Sequence, residues 1–182
     1  EIIRTIGGSK KGSLLATIDR TLTSAGSRLL LNWISAPPTN PSIINKRLDS
    51  ITCFYENEGL LRSLRDIIRT VPDVERALSR LSADRAGPRD LIAVRNALSK
   101  TNIIKEELLT GNVGLSRIKD EFKRHIQDLD GYFPLVELLE RALADDPPIL
   151  IRDGGYISMG FNAELDRLRN LKDESRALIA AL

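Results

Sequence analysis

The sequence predicts an all-α fold, a multi-helix bundle of mainly antiparallel amphipathic helices with one small β-hairpin near 149–158. Three observations carry this expectation. Aromatic residues are only 4% of the 182, while Leu, Ile, Ala, Arg, Asp and Glu are plentiful, a balance that favours helices over sheets built from Val, Tyr and Thr. Apolar residues recur at steps of three and four along most of the chain, the period of a helix with one buried face. The breaks between these stripes are short and hold helix start and stop residues, which makes successive helices antiparallel neighbours.

The elements follow in order. Leu15, Ile18, Leu22, Ala25, Leu29 and Trp33 form one stripe, but "TLTSAG" crowds weak helix formers together. Two helices, about 13–20 and 24–35, are therefore expected, with Thr23 or Ser24 as cap of the second. Trp33, Leu29 and Leu30 should anchor that second helix, and Gly26 either admits a close neighbour or eases a tight cap. "APPTNP" ends it, and Asn40 followed by Pro41 is an N-cap with a first-turn proline. The helix that starts there should bury Ile44, Leu48, Ile51 and Tyr55. "ENEG" closes it before a stripe at Leu60, Leu61, Leu64, Ile67 and Ile68.

"VPDVERALSRLS" repeats the Pro-Asp start, with Val74, Leu78 and Leu81 inward. "AGPRD" then breaks the chain before a longer helix through Leu91, Val94, Leu98 and Leu108, reaching about Leu109 and leaving Asn96 and Lys100 on its solvated side. Leu115, Ile118, Phe122 and Ile126 mark another helix, and Leu135, Val136, Leu139 and Leu143 the next. Only "PPILIRDGGYISMG" leaves the helical period: Ile149, Leu150 and Ile151 face Tyr156 and Ile157 across Asp153, Gly154 and Gly155, the pattern of a hairpin. Asn162 to Leu182 returns to helix through Leu165, Leu168, Leu171 and Ile179. No repeat of solenoid period is present.

Composition excludes several classes. Twenty-seven Lys plus Arg against 25 Asp plus Glu leave a net charge of +2, too balanced to hold nucleic acid by broad electrostatics, so any DNA contact should be local and salt-sensitive. Cys53 is the one cysteine; neither an intrachain disulfide nor a cysteine zinc site can be built from it, and a cytoplasmic location is expected. No apolar run approaches the roughly 18 residues a membrane helix needs, and "EIIRTIGGSKKG" lacks a signal-peptide core. The start without Met and the stop inside the helical pattern "RALIAAL" are expected of a piece of a longer protein.

Candidate chemistry is sparse. In "GGSKKGSL", Gly7 and Gly12 stand at the spacing of a phosphate loop, but Ser13 and Leu14 follow where that motif needs Lys and then Ser or Thr. A turn leading to a Ser-capped helix accounts for it better. His125 sits among charges in "EFKRHIQD" without a second ligand. The pairs Asp145 with Asp146 and Asp128 with Asp130 lie at element ends, where Asp caps and turns. Cys53 has nothing basic immediately beside it to lower its pKa. Lys10 with Lys11, and Arg117, Lys119, Lys123 and Arg124, could meet phosphates, though acids are interleaved with the second group. No catalytic, cofactor-binding or metal-ligating residue is therefore assigned, and nucleic-acid residues remain unassigned.

Three segments carry a resemblance. "GSLLATIDRTLTSAGSRLLLNWISAPP" resembles the start of the central helical core of the MutS family of DNA mismatch-repair ATPases. "VPDVERALSRLSADRAGPRDL" is similar to that core's next characteristic segment, and "IRDGGYISMGFNAELDRLRNLKDESRALIAAL" to the stretch leading into the family's DNA clamp. They occur in the family's order from Gly12 to Leu182.

The resemblance implies a division into residues 1–12 as an N-terminal connector and 13–182 as the core, or lever, domain (domain III), truncated before the clamp, with the ATPase and mismatch-reading domains absent. In the family this core connects clamp to ATPase, its long helices carry movement between them, and helices returning after the clamp complete it. The longer protein would use ATP and Mg, and its partners would be mismatched double-stranded DNA, MutL and a second MutS subunit, with no membrane. It would be cytoplasmic and associated with the nucleoid. This fragment would not itself be an enzyme.

One coincidence has to be set aside. Phe54, Tyr55 and Glu56 spell the family's Phe-x-Glu mismatch-reading motif, but "SITCFYENEG" puts them at the end of an amphipathic helix, without the Gly-Asp that precedes the motif on an exposed element. Two readings from other classes stand beside the resemblance: a stand-alone helical scaffold or protein-interaction module with no DNA role, and an enzyme whose catalytic groups have no recognisable motif.

Overall fold

A computed structural model describes residues 1–110, 120–130 and 132–180, the side chains of 120–122, 178 and 180 excepted. The described residues form α1 (Leu14–Ile18), α2 (Ser24–Ser35), α3 (Pro41–Tyr55), α4 (Glu58–Arg69), α5 (Val74–Ser82), α6 (Pro88–Thr110), α7 (Asp120–Gln127), α8 (Phe133–Ala142) and α9 (Ala163–Ala180). The expected helix at Leu115 and Ile118 lies outside the described residues; Phe122 and Ile126 fall in α7.

The helices begin where side chains can satisfy their free backbone donors. Ser13 accepts from the N–H of Ala16, Thr23 from Gly26, Asn40 from Ser42, Asn57 from Leu60 and Asp73 from Arg76. Each such cap contributes about 1 kcal/mol. Thr23, rather than Ser24, caps α2. A Cβ on Gly26 would lie 3.2 Å from Thr23 Oγ1 and 3.4 Å from Thr21 Cβ, so the glycine serves this tight cap and not a neighbouring helix.

The α5–α6 junction is closed from both sides. The N–H of Asp84 donates to Leu81 and that of Arg85 to Arg80, the double bond of a Schellman ending, with Asp84 at φ 54° where glycine is usual. Asp90 then reaches back to accept from the N–H of Gly87 at 2.7 Å and from Arg80 Nε at 3.0 Å. The second helix therefore starts against the end of the first.

α6 is the axis of the bundle. It packs against α4, α5, α7 and α8, and α3 packs on α4. Its 23 residues span about 35 Å. Val94, Ala97 and Leu108 are buried along it, and Leu91 and Leu98 are half-buried, as the period predicted. Leu108 joins Leu60 and Leu64 of α4 and Ile126 of α7 in one cluster, with Cys53, Phe54, Ile68, Ile104 and Leu129 packed around it.

Several expectations about facing are corrected. The α3 stripe is exposed: Ile44 37%, Leu48 53%, Ile51 58% and Tyr55 82%. The side of α3 that meets the core carries Cys53 and Phe54 instead. Trp33 and Leu29 are 40% and 50% exposed rather than anchoring α2; Arg47 covers the indole, 3.8 Å from the ring centroid. In α5 the buried residue is Ala77 and Leu78 lies outside, because the close packing of α5 on α6 admits a small side chain at the contact. Lys100 is half-buried, while Asn96 is solvated as expected.

The hairpin is not formed. Ile151–Asp153 make a 3-10 turn, closed by the N–H of Asp153 on Leu150 and of Gly154 on Ile151. Tyr156 to Ser158 pair instead with the end of α8: Leu143 and Ile157 form an isolated antiparallel bridge, with Ala144 donating to Tyr156 and Ser158 to Ala142. The N–H groups of Asp153 and Gly154 are spent inside this turn, so the 149–151 arm curls back on itself instead of extending opposite Tyr156 and Ile157.

Candidate functional site

The residues that sequence alone singled out are scattered. His125 is 70% exposed and 4.0 Å from Asp128, itself 78% exposed. Asp130 pairs with Lys105 of α6, a contact that fastens the segment after α7 to the axis. Asp145 and Asp146 are exposed in the bend after α8. Cys53 is half-buried against the Leu60 cluster, the surroundings of a packed thiol and not of a nucleophile. Arg117 and Lys119 lie outside the described residues; Lys123 is half-buried and Arg124 exposed.

The glycine-rich start does not form a phosphate cradle. Residues 1–12 fold as turns, with the N–H of Thr5 donating to Ser9 and that of Gly8 to Thr5. Ser13 is 1% exposed, its hydroxyl donating to the carbonyl of Lys10 and accepting from Ala16. A hydroxyl so engaged is a cap. Phe54 packs on the core, which removes it as an exposed base-stacking side chain. Among the described residues no group of three or more His, Cys, Asp and Glu could hold a metal ion, and no helix is long and apolar enough to cross a membrane.

The strongest polar constellation is one that sequence reasoning missed. Arg28 of α2 inserts its guanidinium between two acids at the start of α5. Its Nη1 and Nη2 donate to the two carboxylate oxygens of Asp73 at 3.0 and 2.7 Å, and its Nε and Nη2 to Glu75 Oε2 at 2.9 and 2.6 Å. The Arg28 hydrogen bonds hold the Asp73 carboxyl below the usual range, assisted by the N–H of Arg76. Asp73, and then Glu75, push the Arg28 pKa above its ordinary value. The partners are 45 and 47 residues apart in sequence, so no local pattern marks them. A second acid, Asp19, is lowered by hydrogen bonds from the Thr21 hydroxyl and N–H and from Ser27, which ties α1 to the start of α2.

The arrangement is thus that of an all-helical domain: helices packed around one long axis, with caps and ion pairs at their ends. The chain belongs to the MutS domain III family, whose model matches residues 1–182. It is 42% identical over its whole length to the DNA mismatch repair protein MutS of Roseobacter denitrificans, and 42% to that of Ruegeria sp.. The corresponding protein of Bartonella henselae is 45% identical over 186 aligned residues. In each case the chain spans 20% of the relative's length.

Proposed function

We propose that this chain is the helical core of a mismatch-repair recognition protein, linking its DNA clamp to its ATPase and carrying nucleotide-dependent movement between them. The observation that supports this reading is α6. A 23-residue helix packed against α4, α5, α7 and α8 can be displaced only with its neighbours, so a push at one end reaches the other about 35 Å away. In this reading the segment itself hydrolyses nothing. ATP and Mg are bound elsewhere in the longer protein, which contacts mismatched duplex DNA, MutL and a second MutS subunit and acts in the cytoplasm, at the nucleoid.

The exposed stripes agree with such a role. Ile44, Leu48, Ile51 and Tyr55 on α3, and Leu168, Leu171 and Ile179 on α9, are exposed apolar side chains of the kind that other parts of a longer chain cover. α9 is anchored mainly at its first turns. Asn162 caps it through the N–H of Leu165, Asp166 accepts from the N–H of Gly160, and Arg169 donates to the carbonyl of Ile157 at 2.9 Å.

The test is coupling, measured in the protein at its natural length. Asn96 and Asn102 are exposed on α6, so Asn96→Gly with Asn102→Gly softens the helix without opening a cavity. DNA affinity and basal ATP turnover should survive, while the effect of ATP on mismatch affinity and of mismatch on ATP turnover both shrink. Unchanged ratios, with faster amide exchange in α6, would make the segment a passive scaffold.

A further inference from the structure

α1 and α2 are attached to the bundle differently from the other helices. Neither contains a buried residue, and neither takes part in the extensive helix–helix packing that centres on α6 and joins α3 to α4. Between them lies an open cavity of about 450 Å³ lined by Ile3, Ser13, Leu15, Ser27, Arg28 and Leu31, among others, so their mutual contact is loose as well. Beside the half-burial of Leu30, Leu31 and Ile34 and the stacking of Arg47 of α3 on Trp33, polar ties fasten them. Arg28 forks onto Asp73 and Glu75 of the α5 start, and Arg65 of α4 donates to the carbonyl of Arg20 in the α1–α2 turn at 3.3 Å.

We infer that α1–α2 is a hinged arm latched to the bundle by the Arg28 fork, and that opening the latch releases the arm while the α3–α8 bundle stays folded. The chain has the hinges for this. On the far side, Ala36 to Asn40 connect α2 to α3 through Pro37 and Pro38, with no helical hydrogen bond running across. On the near side, residues 1–12 are turns. An arm held by burial would be indifferent to salt. One held by charged groups that are 42% (Arg28), 24% (Asp73) and 61% (Glu75) exposed is weakened as salt screens them. Its opening is therefore a local event, lower in free energy than unfolding the core. This inference is independent of the lever reading, since it concerns how one arm is fastened and not what α6 transmits.

The experiment is peptide-resolved hydrogen exchange of the protein at its natural length, at low and at high sodium chloride. Wild type is set beside Arg28→Gln, which keeps the aliphatic stem but loses the fork, and Glu75→Gln, which removes one acid and leaves the Asp73 cap intact. Residues 14–36 should exchange faster at high salt in wild type. In Arg28→Gln they should exchange about fivefold or more faster already at low salt, with little further response to salt, and Glu75→Gln should fall between. Residues 91–108 should be unchanged throughout. If 14–36 are equally protected in wild type and Arg28→Gln, the fork is not a latch. Loss of protection in 91–108 together with 14–36 would overturn the proposal too, by making Arg28 a support of the whole fold.

Discussion

Replacing Leu64 by Ala tests the packing on which every later statement depends. Leu64 is 5% exposed, in the cluster with Leu60, Leu108 and Ile126 that joins α4, α6 and α7. The substitution removes three carbons, worth about 2.4 kcal/mol at ~0.8 kcal/mol per buried methylene. The cavity term brings the loss to about 3–4 kcal/mol, inside the range for buried Leu→Ala changes. That is a large share of the roughly 5–15 kcal/mol available to a domain. With a urea slope of about 2 kcal/mol per molar, the midpoint followed by far-UV circular dichroism should fall by about 1.5–2 M at unchanged slope. The companion variant is Ile51→Ala, at a residue 58% exposed, where the loss should stay below about 1 kcal/mol. Should Ile51→Ala cost as much as Leu64→Ala, the α3 stripe would be the packed face and the account of the core would be wrong.

Other outcomes follow from the same geometry. Asp84→Gly relieves the left-handed residue at φ 54° and should raise the urea-derived stability by about 0.5–1 kcal/mol, whereas Gly87→Ala sets a Cβ 3.1 Å from the carbonyl oxygen of Ile149 and should lower the melting temperature. The carboxyls of Asp19, Asp73 and Glu164 have folded pKa values below their ordinary ones. Their stabilising effect is therefore complete above the usual carboxylate range and lost as pH falls through the depressed folded values. Urea midpoints should accordingly drop from about pH 4 downward, and Asp19→Asn should flatten part of that slope. The 182-residue chain should show ATP turnover no higher than background, and weak DNA binding that ignores mismatches and falls steeply with salt. A salt-insensitive, mismatch-selective complex would reveal a site the fold does not show.

The places where helices start were legible because capping is local. Asn40-Pro41 and Asp73 announce a helix through atoms within three residues of themselves, and the structure uses each as its sequence suggests. Which face a helix buries is a tertiary fact. α3 carries Ile44, Leu48, Ile51 and Tyr55 on one side and Cys53 and Phe54 on another, so its period fits two orientations, and only the position of α4 selects the second. The axis α6 is apolar on several sides for the opposite reason, being surrounded. The 149–158 segment has the composition of strands, but its bonds close locally, Asp153 on Leu150 and Gly154 on Ile151, and Tyr156 to Ser158 pair with Ala142 to Ala144, a partner that no local pattern marks. Arg28 could not be found from the sequence, since its acids lie across the fold. The family, by contrast, was legible from three ordered segments whose residues are mostly caps, breaks and helix contacts rather than catalytic groups.

The central claim is that α6 moves as a rigid body. The direct measurement is the distance between spin labels placed at Arg89 and Glu106, both exposed on α6, in the protein at its natural length with Cys53 and every other native cysteine replaced by Ala. Seventeen residues of α-helix separate the backbones by about 25 Å. The account predicts one narrow distance distribution that is the same without nucleotide, with ATP and with mismatched DNA. A second population, or a shift of several ångströms on adding either ligand, would show that α6 bends and would contradict its role as a rigid axis.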